Sequence, residues 1–392
     1  MANAFIKPPV IIAAILGQLR QQLVLTNYVW KDGFGDFAGK FNDTVTIRIP
    51  VDTVAYTRKL RATGADRNMI ASDLTEVTVD IKLTDVIYNR IDLTDEERDL
   101  DIKSFAVDVL PRQVRAVAKK LESGVAHLIN TAPYEKTSNV DQDALWNGVI
   151  SNRRWLNEHE VPEEGRVLLV GTAIEEALLL DDRFTRYDSA GEPGASRLQT
   201  ARVGKFAGHD VVVVNQLNHG DAFLAHPTAY ALLTRTPGRP MTNTVATSTV
   251  GTENGITLRW LGDYDSTSTT ERSIVDTWMG VKPVVDPVNI YGDDDPHFVR
   301  ATRIHMKATE VDILNTGTVT ASSGANKTRQ LELEDNNGDN RTRDPLVVWE
   351  SSDPSKATVS ATGLVTGVAT GSTVISAKVD GLTESWNLTV AA

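Results

Sequence analysis

Two stretches of strict alternation, separated by a long polar excursion, constrain this chain more than any other feature. In the first, Val45, Ile47 and Ile49 face one way while Thr44, Thr46 and Arg48 face the other, ending at Pro50. The second runs through Val77, Val79, Ile81 and Leu83. Side chains along a strand point to opposite faces in turn, so this period of two predicts two half-buried strands. Between them, residues 56–73 are rich in charge and small side chains, including Arg58, Lys59, Arg61, Gly64, Asp66 and Arg67. A compact domain rarely keeps so long a connection unless it has a use. The pattern predicts an extended hairpin that reaches away from its own core.

The rest of the chain changes texture in a definite order. Residues 1–40 read as an arm: Pro8 and Pro9 break the start, and a helix follows over 10–25 with Ile12, Ile15, Leu16, Leu19 and Leu23 on one face. A long helix is predicted from a cap near Asp99–Asp101 through Ile102, Phe105, Val109, Val114, Val117, Leu121, Val125 and Leu128, broken or kinked at Pro111. An α/β section comes next, with helices over 144–159 and 172–180 and strands over 166–170, 211–214 and 222–225. Strand and helix are expected within 255–281, and one more strand over 299–313. Residues 315–392 alternate Ser, Thr and Val, with turn signals at Asn337-Gly338, Asp353-Pro354, Thr362-Gly363, Thr370-Gly371 and Asp380-Gly381. Short strands at that spacing predict a small β-sandwich.

Composition limits the chemistry. A chain of 392 residues with 41% hydrophobic content supports two or three packed domains. It has no cysteine, which removes disulfides, thiolate catalysis and cysteine zinc sites. A net charge of −12 argues against a dedicated nucleic-acid binder and against docking on anionic membranes. The apolar run over 10–16 is too short to span a bilayer and has neither the charged leader nor the cleavage site of a secretory signal, so synthesis in the cytosol is expected, with no membrane step. The glycines of 33–39 do not fit a dinucleotide loop, because a strand follows where that fingerprint needs a helix. The histidines, 127, 159, 209, 219, 226, 297 and 305, show no ligand spacing and read as solvated or core-satisfied. The acidic runs 293–295 and 334–339 read as solvated turns, with calcium as the other reading. No catalytic residue, cofactor site or metal site is predicted.

Two parts of the chain carry a family resemblance. Residues 347–360, opening on Val347-Val348-Trp349, and 363–377, with Gly363, Gly367 and Gly371, closely resemble bacterial immunoglobulin-like group 2 domains. Trp349 would fill the sandwich core, and the three glycines would mark tight turns between short strands. Residues 1 to about 312 resemble tailed-phage major capsid proteins of the HK97-type fold, of the P22 coat-protein-like group. The carriers are Gly33, Asp36, Phe37 and Gly39 ahead of the strand ending at Pro50, the strand over 77–83 before a long helix, the helix end, Val161-Pro162 and strand of 156–170, and the glycine turn before the strand of 204–214.

The resemblance implies an α+β chain: an HK97-type capsid fold with N-arm, E-loop, peripheral and axial domains, followed by a C-terminal immunoglobulin-like β-sandwich. Its parts would be an arm over 1–40 and a core over 41–312. Within the core, the E-loop would occupy about 50–78, the spine helix and peripheral domain about 84–135, the axial domain about 140–285 and a returning peripheral strand about 286–312. The sandwich, over 315–392, would be a separable, outward-facing addition. The implied function is a major capsid protein that assembles with itself into hexamers and pentamers around double-stranded DNA, in the virion, after synthesis in the bacterial cytoplasm. The short arm leaves no room for a fused assembly domain, which implies a separate scaffolding protein, and a portal is implied likewise. DNA would be touched only through weak, non-specific contact, and a host-surface glycan is a candidate ligand of the sandwich. Arg58, Lys59, Arg61 and Arg67 are the candidate inter-subunit contacts, since a basic loop on an acidic chain can set register between copies. The rival reading is a bacterial surface adhesin or carbohydrate-binding protein with an immunoglobulin-like module, which would carry a secretion signal or anchor.

Overall fold

The computed structural model describes residues 23–31, 44–50, 55–61, 63–69, 71, 76–97, 109–181, 204–238, 247–253, 255–286, 297–322, 324 and 326–392. The arm helix before residue 23, the glycines of 33–39, the cap at 99–101 with Ile102 and Phe105, and the acidic run 293–295 lie outside them.

In chain order the elements are β1 (Thr44–Pro50), β2 (Glu76–Lys82), β3 (Asp85–Thr94), α1 (Leu110–Thr131), β4 (Thr137–Val140) and α2 (Leu145–Glu158). There follow β5 (Val167–Val170), α3 (Thr172–Leu180), β6 (Lys205–Phe206), β7 (His209–Val213), β8 (Asp221–Ala225) and β9 (Tyr230–Arg235). Three long strands come next, β10 (Thr247–Glu253), β11 (Ile256–Asp265) and β12 (Thr270–Pro283), then β13 (Ala301–Met306). The C-terminal part adds β14 (Val311–Leu314), β15 (Val319–Thr320), β16 (Thr328–Gln330), β17 (Glu332–Asp335) and β18 (Val348–Ser351). It closes with β19 (Ala357–Val359), β20 (Leu364–Gly367), β21 (Gly371–Val379) and β22 (Leu382–Ala391). No described helix is long and apolar enough to cross a membrane.

The chain divides into two compact units. The first holds residues 1–136, 154–167 and 225–302. Here β1 and β2 pair antiparallel from Thr44 opposite Lys82 to Pro50 opposite Glu76. The base of this hairpin is held because Val79 and Ile81 pack with Ala231, Leu233 and Val284, and Val45 joins them. A five-stranded sheet runs β10-β11-β12-β3, with β9 also paired to β12. Helix α1 buries a stripe of Leu110, Val114, Val117, Ala118, Leu121, Val125 and Ile129. That three-to-four spacing is what places them on one helical face. Pro111 stands in the first turn of α1, where its missing N–H leaves no bond unmade, so it opens this helix.

Two sequence expectations change here. The helix expected within 255–281 is absent: β11 and β12 fill that stretch as antiparallel partners, Arg259 opposite Asp276 through Asp265 opposite Thr270. The run from Thr270 to Trp278 is rich in Thr, Ile and Val, whose branched side chains favour a pleated surface over a helix. Residues 85–94 form a strand ahead of α1, paired along their length with β12. The stretch 299–313 is two strands, β13 and β14, with a break between them.

The second unit holds residues 137–153, 168–224 and 303–392. Its larger sheet has the order β4-β13-β8-β5-β7-β6. The central strands β5, β8 and β13 are buried along their whole length, as strands covered on both faces must be. The C-terminal sandwich packs a four-stranded sheet, β15-β22-β21-β18, with β16-β20-β19 and the pair β14-β17. Its core gathers Leu331, Leu333, Trp349, Ala357, Val365, Ile375, Ala377, Leu388 and Val390.

Candidate assembly interface

Beyond the β1–β2 ladder, the described loop residues stand in solvent. Leu60 is 97% exposed, Met69 81% and Tyr56 56%. Arg58, Lys59, Arg61 and Arg67 are exposed beside them. Among the described loop residues, Arg58 Nη1 donates to the Arg67 carbonyl at 2.5 Å and the Asn68 N–H to the Ala65 carbonyl at 3.1 Å. None of the four cations forms an ion pair with a described residue. Large apolar side chains are costly to leave in water, and their exposure beside four cations gives this loop the composition of an interaction surface. The structure thus brings the four basic residues onto one loop and adds an apolar component that charge counting alone had passed over.

Val24 and Leu25 are pinned to α1. Glu122 on α1 accepts hydrogen bonds from the backbone N–H groups of Val24 at 2.6 Å and Leu25 at 3.0 Å. Burial pushes its carboxyl above the usual range, and those two amides act against the push.

In the sandwich, Trp349 is 8% exposed within the core, and its indole N–H donates to the Thr342 carbonyl at 3.3 Å. Gly363 has φ of 74°, a left-handed conformation that glycine adopts without strain. Gly367 matters through space: a Cβ there would collide with the Thr320 carbonyl. Gly371, at φ of 139°, opens β21.

Sequence reasoning missed a buried cluster of charge in the second unit. Asp221, at the start of β8, accepts from Arg303 Nη2 at 2.8 Å and Nε at 3.1 Å, and from His305 Nδ1 at 2.8 Å. Arg303 also reaches Asp344 at 3.2 Å. Arg341, 2% exposed, donates to Asp344 at 3.0 Å and lies 3.4 Å from both Asp335 and Asp380. Asp339 accepts the backbone N–H groups of His219 and Gly220, each at 2.8 Å. Burial alone would raise Asp221, but His305 and Arg303 outweigh it and hold the carboxyl at about 2.

One reading made from sequence is corrected by this cluster. Asp335 and Asp339 do not form a solvated turn: both are buried, and their oxygens are taken by backbone N–H groups and Arg341. Within the same compact unit, Asp339, Arg341, Asp344 and Asp380 of residues 315–392 bond to groups of the six-stranded sheet and its loops. Salt bridges buried this deeply are invisible in a sequence, since their members stand up to 159 positions apart, from Asp221 to Asp380.

Comparison with known proteins supplies the remaining evidence. A model of the phage capsid protein family matches residues 76–292, and one of bacterial Ig-like domains, group 2, matches residues 308–390. Among solved structures, a chain of Mycobacterium phage Che8 is 18% identical with a TM-score of 0.50, covering 78% of this chain and 93% of its own. A chain from the capsid of the cyanophage P-SCSP1u is 12% identical with a TM-score of 0.50, covering 68% of this chain and 84% of its own. No curated protein matches. The fold is the HK97-type capsid fold with a C-terminal immunoglobulin-like domain.

Proposed function

This chain belongs to the phage capsid protein family, and on that premise we propose that it is the major shell subunit of a tailed phage, building hexamers and pentamers around double-stranded DNA. The observation that carries the reading is the projecting loop with Leu60, Met69, Arg58, Lys59 and Arg61 all exposed. Such a loop gains stability only on a second copy, where apolar burial gives adhesion and the cations select register. Many such weak contacts, repeated by symmetry, sum to a closed shell. Its role is structural and involves no catalytic step. The net charge of −12 suits a container that must not grip its DNA. A separate scaffolding protein and a portal complete assembly in the host cytoplasm.

The immunoglobulin-like module has a second role in this reading. One face of its β21–β22 hairpin presents Ser372, Thr383, Ser385, Asn387 and Thr389 to solvent. Hydroxyl and amide groups there support weak hydrogen bonding to a host-surface glycan.

Electron microscopy of the chain expressed with its scaffold tests the shell. Uniform closed particles are expected from the wild type. Reversing Arg58, Lys59 and Arg61 to Glu should lower particle yield severalfold while the circular dichroism spectrum of the subunit stays unchanged. A wild-type chain that stays monomeric, or a triple variant with full yield, would overturn the assignment.

A further inference from the structure

His305 sits where the six-stranded sheet meets the immunoglobulin-like module, with groups from every neighbouring segment turned toward it. Its own strand contributes Arg303, β8 contributes Asp221, and the β21–β22 turn contributes Asp380. The stretch from β17 to β18 contributes Arg341, whose guanidinium is met by Asp335 and Asp344, while Asp339 accepts from the His219 and Gly220 N–H groups ahead of β8. In this cluster the carboxylates of Asp221, Asp335, Asp339, Asp344 and Asp380 outnumber the guanidinium groups of Arg303 and Arg341, so the ring's proton decides how far the charge is balanced.

The ring's geometry admits both protonation states without moving the backbone. Nδ1 lies 2.8 Å from Asp221, so it carries its proton in either state. Nε2 lies 3.2 Å from Asp380 Oδ2 and 2.8 Å from Arg341 Nη1. With the ring charged, Nε2–H donates to Asp380, tying β13 to the β21–β22 turn, and Arg341 Nη1 must give up Nε2 for its other acceptors, Asp335 and Asp380 at 3.4 Å. With the ring neutral, Nε2 accepts from Arg341, and Asp380 loses its bond to the sheet while the buried carboxylate excess grows. Asp380 also accepts from the Ala308 backbone N–H at 3.3 Å, so its carboxylate closes the connection between sheet and module.

We propose that His305 is a proton-operated latch that holds the immunoglobulin-like module on the six-stranded sheet, shut when the ring is charged and loosened when it is neutral. Burial and the neighbouring Arg341 charge oppose the charged ring, but hydrogen bonds to Asp221 and Asp380 prevail and lift it above its ordinary value of 6.5. A base whose folded value is raised contributes fully below its unfolded value and loses that contribution as pH rises through the folded one. Asp221 and Asp380 are both lowered, with burial opposing and His305 prevailing, so their contribution is lost only in acid. Asp339 is raised, chiefly by burial, so its charged form is penalised and it favours the same direction as His305. The contribution of His305 is therefore complete below about pH 6.5 and is lost on the alkaline side as pH rises through its folded value.

Hydrogen exchange of the full-length chain, corrected for the intrinsic effect of pH, tests the latch through the protection of residues 371–391. Wild-type protection should fall between pH 6 and pH 9. His305→Gln keeps hydrogen-bonding groups without the titratable charge and should make the profile flat, whereas His209→Gln should leave the fall intact. Asp380→Asn provides a second route should His305→Gln fail to fold, and it should move the midpoint to lower pH. Protection that is flat in the wild type, or that falls equally in His305→Gln, overturns the latch. The readout is internal to one chain, so it stands or falls apart from shell assembly.

Discussion

Replacing Arg341 by alanine removes one guanidinium from several buried carboxylates at once, and the surrounding bonds set what that costs. Deleting one partner of a buried ion pair typically costs about 3–5 kcal/mol, because the charge left behind has lost both water and its partner. The lower end applies here, since each abandoned group keeps another donor. Asp344 keeps Arg303 at 3.2 Å, Asp335 keeps the N–H groups of Asn337 at 2.9 Å and Asp339 at 3.0 Å, and Asp380 keeps that of Ala308 at 3.3 Å. The expected loss is about 3 kcal/mol, roughly a 150-fold change in the unfolding equilibrium. For a unit of this size that lowers the melting midpoint by about 6–12 °C. Calorimetry of Arg341→Ala measures it, and adding Asp344→Asn should recover part of the loss by removing one stranded charge. A loss under about 1 kcal/mol would refute the claim that these carboxylates depend on Arg341.

Two further outcomes follow from single contacts. Glu122→Ala strips the acceptor from the amides of Val24 and Leu25, at a cost of about 1–3 kcal/mol, and should speed hydrogen exchange at those two positions; Glu122→Gln, which keeps a carbonyl, should retain most of their protection. Gly367→Ala places a methyl against the Thr320 carbonyl, so the module's midpoint should drop by several degrees, while Gly338→Ala, with open space around it, pays only for its left-handed φ of 81° and should drop less.

What the sequence disclosed and what it withheld divide along a physical line. Patterns of period two announce themselves, so the β1–β2 hairpin and the C-terminal sandwich could be read directly from Val79, Ile81, Trp349 and the turn glycines. Strand β3 alternates as well, with Ile87 buried between exposed Val86 and Tyr88, but its weak apolar face was overshadowed by the helix behind it. Strand β12 is long and strongly mixed, and only its pairing with β3, β9 and β11 makes it a strand. The basic loop was legible because its cations are close in sequence. The charge cluster was not, because Asp221, His305, Arg341 and Asp380 become neighbours only through tertiary folding, and each alone resembles a surface residue. His305, grouped with the other histidines as unremarkable, turned out to be satisfied in a core made of charge.

Strand β13 has a mechanical consequence. It lies between β4 and β8, and the chain leaves it for the module through Lys307, whose N–H donates to the Val140 carbonyl at 2.9 Å. A pull on the module would therefore be delivered along a strand flanked on both sides in the sheet. Load applied that way must shear a ladder of backbone bonds together instead of peeling them singly.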